Sequence, residues 1–263
     1  MYKNIRFGAD PELFLVNSHG RLVSAVGKIG GTKQCPRPID DLGAAVQEDN
    51  VAVEFNIAPA SGVREFIRNL YTPLKYIEKY VKEMELSPHI VPSAIFPEDQ
   101  LESTQAQEFG CEPDYNVWTG KVNPRPKAKG SLAFLRTCGG HLHVSWDEPT
   151  MEQRRDLVKS LDLFLGVPSV LMDSDSRRRV LYGRAGAHRP KRYGVEYRVL
   201  SNFWIRSPKA MKWAFEQSTR AVRFLNEGNT VSTKARKNIL SAINSNNLRV
   251  AGKLTKEFQL VVI

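Results

Sequence analysis

Four pairs of side chains, each spaced two residues apart, carry the chemistry this chain could do. They are Asp10 and Glu12, Glu54 and Asn56, His141 and His143, and Glu196 and Arg198. In an extended strand, residues two apart share a face, so each pair points one way. The positions on the opposite face are apolar: Leu13 and Leu15, then Val53, Phe55 and Ile57, then Leu142, Val144 and Trp146. Taken singly, each pair reads as the solvated side of a sheet. As a set they describe one sheet whose polar face collects carboxylates and imidazoles. Carboxylates that face one another repel unless cations sit between them. Carboxylate oxygens with one or two imidazoles suit Mg²⁺ or Mn²⁺. On this reading the metal candidates are the carboxylates Asp10, Glu12, Glu54 and Glu196, with one or both of His141 and His143.

A second feature is the run from Arg177 to Arg192, which holds seven Lys and Arg residues and no acid. Gly183, Gly186 and Gly194 interrupt it, as do Tyr182 and Tyr193. A plain charge run is a solvated face. The interruptions instead suggest a loop shaped around an anion, because glycine lets backbone N–H groups approach oxygens closely. Arg179, within it, is a candidate nucleotide contact. Lys33, in the Gly/Pro-rich loop 27–41, is another; that loop lacks the GxxxxGK[ST] spacing of a P-loop.

Two competing chemistries have weaker support in the residues. Cys138-x-x-His141-x-His143 could offer zinc a thiolate and two imidazoles, but no fourth ligand lies at tight spacing. Cys138 as a nucleophile lacks a third group to orient its base.

These side chains need elements to hold them. Residues 5–16 and 51–57 read as strands, with a turn at 17–20 and a returning strand at 21–25. The apolar positions from Val63 to Met84 follow helical spacing, with Ser61 as the expected cap and Pro73 as an expected kink or break. Residues 86–130 hold six of the fifteen prolines and little periodicity, which marks 97–130 as a lid or binding loop. Within it, Tyr115 and Trp118 read either as stacking surfaces for a planar ligand or as a hydrophobic plug. Residues 131–146 return to strand, and 149–164 and 167–172 read as helix. Ser207-Pro208 opens a helix that runs to Gly228. A further helix is expected at 233–245 and a short strand at 258–263.

Composition sets outer bounds. The 263 residues are 41% hydrophobic and 25% charged, an ordinary globular balance. No apolar run approaches the roughly 18 residues that cross a bilayer. The N-terminal residues lack an apolar signal region, and the three cysteines are far apart, so a reduced cytoplasmic protein is expected. The net charge of +10 is uneven: residues 1–130 carry 15 Lys/Arg against 17 Asp/Glu, and residues 131–263 carry 23 against 11. A basic half implies anionic partners, nucleotide phosphates or nucleic acid among them. The sequence shows no helix-turn-helix or RNA-recognition signature.

The segments FGADPELFL, VEFNIAP, CGGHLHVSW and VEYRVLSNFW, in that order, resemble those of the carboxylate–amine ligases built on the glutamine synthetase fold, a group that includes the gamma-glutamylcysteine ligases. The phage-encoded branch is most similar. The resemblance implies an α/β (α+β) fold in a single domain over 1–263, with a curved, mainly antiparallel sheet and helices on its convex face. It implies ATP and Mg²⁺ as cofactors, small-molecule or peptide carboxylate and amine substrates, and a host-cytoplasmic location. An acidic-x-acidic first strand that binds metal falls on Asp10 and Glu12; Asp replaces the more usual Glu, and Pro11 is characteristic of the phage branch. Glu54, His141 and Glu196 fall on further metal ligands, and His143 on a residue near the nucleotide phosphates. Arg198 falls on a phosphate or substrate contact. Arg184 and Arg189 fall on arginines that hold the transferred phosphoryl group or the substrate carboxylate. The implied activity is amide formation through an acyl phosphate. A catalytically inactive structural or nucleic-acid-binding protein is the alternative.

Overall fold

The computed structural model describes residues 1–39, 43–108, 114–126 and 130–263. Its organising element is β1 (Arg6–Asn17), a strand long enough to pair with four others. After it come β2 (Leu22–Val23), β3 (Arg37–Pro38), β4 (Ala45–Asp49) and β5 (Ala52–Asn56). Helix α1 (Val63–Lys82) leads to β6 (Leu86–His89), β7 (Ser93–Ile95), the single turn α2 (Thr104–Gln107), β8 (Tyr115–Asn116) and β9 (Lys121–Val122). Then follow β10 (Leu135–Thr137), β11 (Gly140–Ser145), α3 (Met151–Leu161), α4 (Val167–Met172), α5 (Arg178–Leu181), β12 (Ala187–Lys191) and β13 (Gly194–Tyr197). Helices α6 (Pro208–Asn226), α7 (Thr233–Asn244) and α8 (Leu248–Glu257) complete the described elements.

Eleven of the described strands join one antiparallel sheet, ordered β3-β4-β5-β1-β11-β13-β12-β8-β9, with β2 and β6 also on β1. Alternation decides what each face does. Phe7, Ala9, Leu13 and Leu15 of β1, Val53 and Phe55 of β5, Leu142 and Val144 of β11, and Val195 and Tyr197 of β13 bury in the main core. That core also takes in Phe66, Leu70 and Ile77 of α1, Leu157 and Leu161 of α3, and Met211 and Trp213 of α6. The expected α+β architecture, helices on one face of a mainly antiparallel sheet, is the one observed. On the other face, Phe14, Phe96, Leu101 and Cys138 form a smaller apolar cluster. The two-stranded sheet of β7 and β10 joins them there.

Between α3 and α4 the helix widens to a π-helical stretch at Asp162–Gly166. Asp162 is fully buried and accepts hydrogen bonds from Trp118 Nε1 at 2.6 Å and Tyr197 Oη at 2.8 Å. Trp118 is therefore the plug of its loop rather than a ligand platform; it ties residues 114–122 to β13. Burial pushes the Asp162 carboxyl up to about 7, against those hydrogen bonds. The Asp162→Ala variant is expected to lose about 3 kcal/mol, because two buried donors lose their acceptor. A carboxyl whose folded pKa exceeds its unfolded value contributes stability that is lost as pH rises from about 4 to about 7. The deficit of the variant, measured by urea unfolding, should thus be larger at pH 5 than at pH 8.

Several sequence expectations need correction. Ser61 does not cap α1: Gly62 takes the cap position without a side-chain bond, and Glu65 turns back to accept from Ser61 N at 3.0 Å. Pro73 sits inside one continuous helix. Residues 86–89 form a strand, since β6 adds to the end of β1 and tolerates Pro88 there. Residues 130–132 are a 3₁₀ turn rather than strand. The strand expected at 258–263 is absent; Phe258 closes α8 instead. The basic run is no open loop either. It contains α5 and β12, and Arg178, Arg179 and Arg189 are buried.

Candidate active site

Register brings the polar pairs together. Asp10 lies opposite His141, Glu12 opposite Glu54, and Glu196 opposite both His143 and Arg189. Directly opposed residues on one face have Cβ atoms about 5 Å apart, so pairing alone concentrates these groups at mid-sheet.

Two sets result. In the first, ligand atoms of Glu12, Asp49 and Glu54 all lie within 4.8 Å of one another. Glu12 accepts from Gly139 N at 2.7 Å and Glu54 from Gln47 Nε2 at 2.8 Å. No cation forms an ion pair with any of the three among the described residues. The electrostatic consequence is large: burial, and then the Asp49 charge, raise the Glu12 carboxyl to about 7. Burial together with Asp10, Asp49 and Glu12 pushes Glu54 well above the ordinary carboxylate range.

The second set is Asp10, His141 and Glu196, also within 4.8 Å. Here the protein supplies its own countercharge. Glu196 is fully buried and meets Arg198 Nη1, Lys191 Nζ at 2.8 Å and Arg189 Nη1 at 3.4 Å. Burial and Asp10 press its carboxyl up, but Arg198 and the imidazoles outweigh them and hold it at about 2. His143 Nε2 stands 3.1 Å from Asp10 Oδ2, and Tyr193 Oη contacts His143 Nδ1 at 2.5 Å. Burial opposes charge on His143, but Asp10 overcomes it and raises the imidazole. The same two imidazoles hold Asp10 well below its usual range despite burial. Burial and Arg198 lower His141 to about 4, which leaves it neutral with a lone pair for a metal or a donor.

The donor chemistry of the first set fits a divalent cation: three oxygens, half-buried, convergent and in no ion pair among the described residues. The second set fits less simply, because Arg198 already contacts both Glu196 and His141. Gly139 is needed beside it, since a Cβ there would sit 2.4 Å from His141 Nε2.

These groups open into one cleft that encloses about 1070 Å³ of non-atom space, open solvent included. Glu12, Asp49 and His141 line one part of it; Arg178, Arg184, Arg189 and Arg198 line another. Glu108, Asp114 and Asn123–Pro126 form a wall from the expected lid region; 109–113 and 127–129 of that region lie outside the described residues.

Not every expected residue converges. Arg179 turns away and donates to Ser169 Oγ at 3.1 Å. Lys33 is not among the residues that line the cleft. Cys138 sits in the smaller apolar cluster with its thiol pKa pushed well up by burial, and it joins neither set. That removes the zinc and nucleophile readings. Conversely, Asp49, Arg178, Lys191 and Tyr193 enter the site without having been singled out. Reading 45–49 as a strand would have found Asp49, because it alternates with Gln47, which faces Glu54. Reading 187–191 as a strand would have found Lys191, two residues from Arg189.

Residues 128–236 match the family model of the phage phiEco32-like COOH.NH2 ligase-type 2. That family and the resemblance carried by the four motifs are the same carboxylate–amine ligases. The match covers less than half the chain. It takes in His141, His143, Arg178, Arg184, Arg189, Glu196 and Arg198 and stops short of Asp10, Glu12, Asp49 and Glu54, which reach the site through β1, β4 and β5.

Among solved structures, a bifunctional glutathione synthetase from Pasteurella multocida is similar in chain path. Its TM-score is 0.48 at 12% identity, over 97% of this chain and 49% of that one. This chain thus spans about half the length of that protein. A glutamine synthase homolog gives 0.43 at 11% identity, over 96% and 66%. GmaS without ligand gives 0.41 at 9%, over 97% and 69%. No curated protein matches. Among the described residues no helix is long and apolar enough to cross a membrane.

Proposed function

We propose that this chain is an ATP- and Mg²⁺-dependent carboxylate–amine ligase, forming one catalytic domain. The carrying observation is that three convergent carboxylates, Glu12, Asp49 and Glu54, sit at a cleft whose lining includes Glu12 and Asp49 together with Arg178, Arg184, Arg189 and Arg198. A carboxylate is a poor electrophile because it would have to expel oxide. In the proposed reaction a carboxylate oxygen attacks the γ-phosphorus and ADP departs, leaving an acyl phosphate. The amine nitrogen then attacks the carbonyl carbon, phosphate leaves with the C–O pair, and the proton of the amine passes to solvent or a basic group. A divalent cation (Mg²⁺, or Mn²⁺) bound at Glu12, Asp49 and Glu54 would supply countercharge to phosphate oxygens.

The residues of the chain do the rest. Glu196 holds Arg189 and Arg198 in place from below, so their outer edges face the cleft. His143, both of whose ring nitrogens are engaged by Tyr193 and Asp10, adds positive charge behind them. Arg184, exposed near the mouth, can follow a phosphoryl group as it moves. The segment 97–130 is the proposed lid, since an acyl phosphate hydrolyses unless water is kept out. The substrates are small-molecule or peptide carboxylates and amines. ADP release with panels of amino acids and amines tests the reading. Wild-type turnover should require both substrates and Mg²⁺, and Arg189→Ala should lower it about a hundredfold. Turnover equal to wild type in that variant contradicts the site.

A nucleic-acid reading has one observation behind it. Lys234, Lys237, Arg249, Lys253 and Lys256 are exposed on α7 and α8. It predicts binding that weakens steeply with salt and needs no ATP. The burial of Arg178 and Arg189 at the cleft favours the ligase instead.

A further inference from the structure

Arg178 differs from Arg189 and Arg198, the two arginines that pair with Glu196. It is 3% exposed and lines the cleft, yet it takes part in none of the ion pairs among the described residues. Its Nη1 donates to the carbonyl of Val199 at 2.9 Å, and its buried Nε has no hydrogen-bond partner. Arg189 and Arg198 are held by Glu196, and Arg136 donates to the carbonyls of Ala106, Ala133 and Leu135. Arg178 is therefore a buried guanidinium with unspent donor capacity at a ligand-sized opening.

The surroundings keep it that way. Gly183 packs against the guanidinium: a Cβ there would lie 2.3 Å from Nη1, and its backbone is left-handed at φ +72°. The Val199 carbonyl fixes the orientation of the fork. Burial pulls the guanidinium down to about 10, against the attraction of Glu12. A buried cation without a paired anion is costly, by several kcal/mol in general. Such a group is stable in a folded chain when the rest of the fold carries that cost, and it is relieved when a ligand brings the opposite charge.

The geometry points to Arg178 as the oxyanion anchor of the cleft, holding a substrate carboxylate or a phosphoryl group by charge-assisted hydrogen bonds. The kind of oxyanion rests on the ligase reading; the existence of the subsite rests on geometry alone. It also separates the roles of neighbouring arginines: Arg179 braces α4 through Ser169, while Arg178 serves the ligand.

Calorimetric titration of the full chain with inorganic phosphate, and separately with glutarate, tests this for wild type, Arg178→Met and Arg178→Lys. Arg178→Met is expected to bind one probe at least about tenfold more weakly. Selective loss of phosphate assigns a phosphoryl group; selective loss of glutarate assigns a carboxylate. Arg178→Lys keeps the charge without the planar fork and should also bind more weakly, which carries the test if the Met variant does not fold. Wild-type-like affinity for both probes in the variants overturns the proposal, as does a wild type that binds neither. Arg178-dependent anion binding without ADP release would leave this subsite standing and remove the ligase reading. ADP release with unaltered anion binding in the variants would do the opposite.

Discussion

Glu196→Gln is expected to lower ADP release about a hundredfold or more. The carboxylate of Glu196 is the one negative charge on which Arg189, Lys191 and Arg198 converge, and it is fully buried. Glutamine has nearly the same shape but no charge, and its amide would place N–H donors against guanidinium donors. Arg198 and Arg189 would turn away to find other acceptors, and their outer edges would leave the cleft. Breaking a buried ionic cluster by removing one partner also costs about 3 kcal/mol or more. Activity should therefore be measured well below the melting temperature of the variant, with urea unfolding in parallel. A variant that releases ADP within about threefold of wild type contradicts the role given to Glu196.

Asp49→Asn should have the opposite sign on stability. Three carboxylates within 4.8 Å repel one another, and this adds to the burial that already makes Glu12 and Glu54 titrate high. Removing one charge relieves the other two. The metal-free variant is expected to be more stable than wild type by about 1 kcal/mol, the relief of one close like-charge contact screened by solvent at these half-exposed positions. The same change removes a ligand, so stabilisation by Mg²⁺ should shrink or vanish. For wild type that stabilisation grows with ligand concentration as mass action requires. Thermal melts with and without millimolar Mg²⁺ check both halves. A variant less stable than wild type in the absence of metal, or equally stabilised by Mg²⁺, counts against a cation site at Glu12, Asp49 and Glu54.

Much of this site was legible in the sequence because strand alternation is a local property. Asp10 and Glu12 with Leu13 and Leu15 behind them state a polar face and an apolar face without help from the rest of the chain. The same holds for His141 and His143, and for Glu196 and Arg198. Which strands neighbour one another is not local. Sequence order gives no reason for β1 to sit between β5 and β11, or for Glu196 to find Lys191. Asp49 was missed because its strand is short and ends at a turn where Asn50 takes a left-handed backbone, so alternation had few residues in which to show. Arg179 was misplaced for a related reason. In a run of three arginines only the packing of α5 decides which points to the cleft and which to Ser169. Helix α8 lacked a long apolar stripe and contains Gly252, a poor helix former. Its Asn247 cap, which accepts from Val250 N, was the available signal.

The central claim is that the acids of β1, β4 and β5 hold a divalent cation beneath a triphosphate. The most direct measurement is the anomalous difference density of crystals grown with Mn²⁺ and a non-hydrolysable ATP analogue. The account predicts a peak bounded by Glu12, Asp49 and Glu54, with the terminal phosphate between it and Arg189 or Arg198. Manganese bound elsewhere, with those three carboxylates left facing one another, would contradict it.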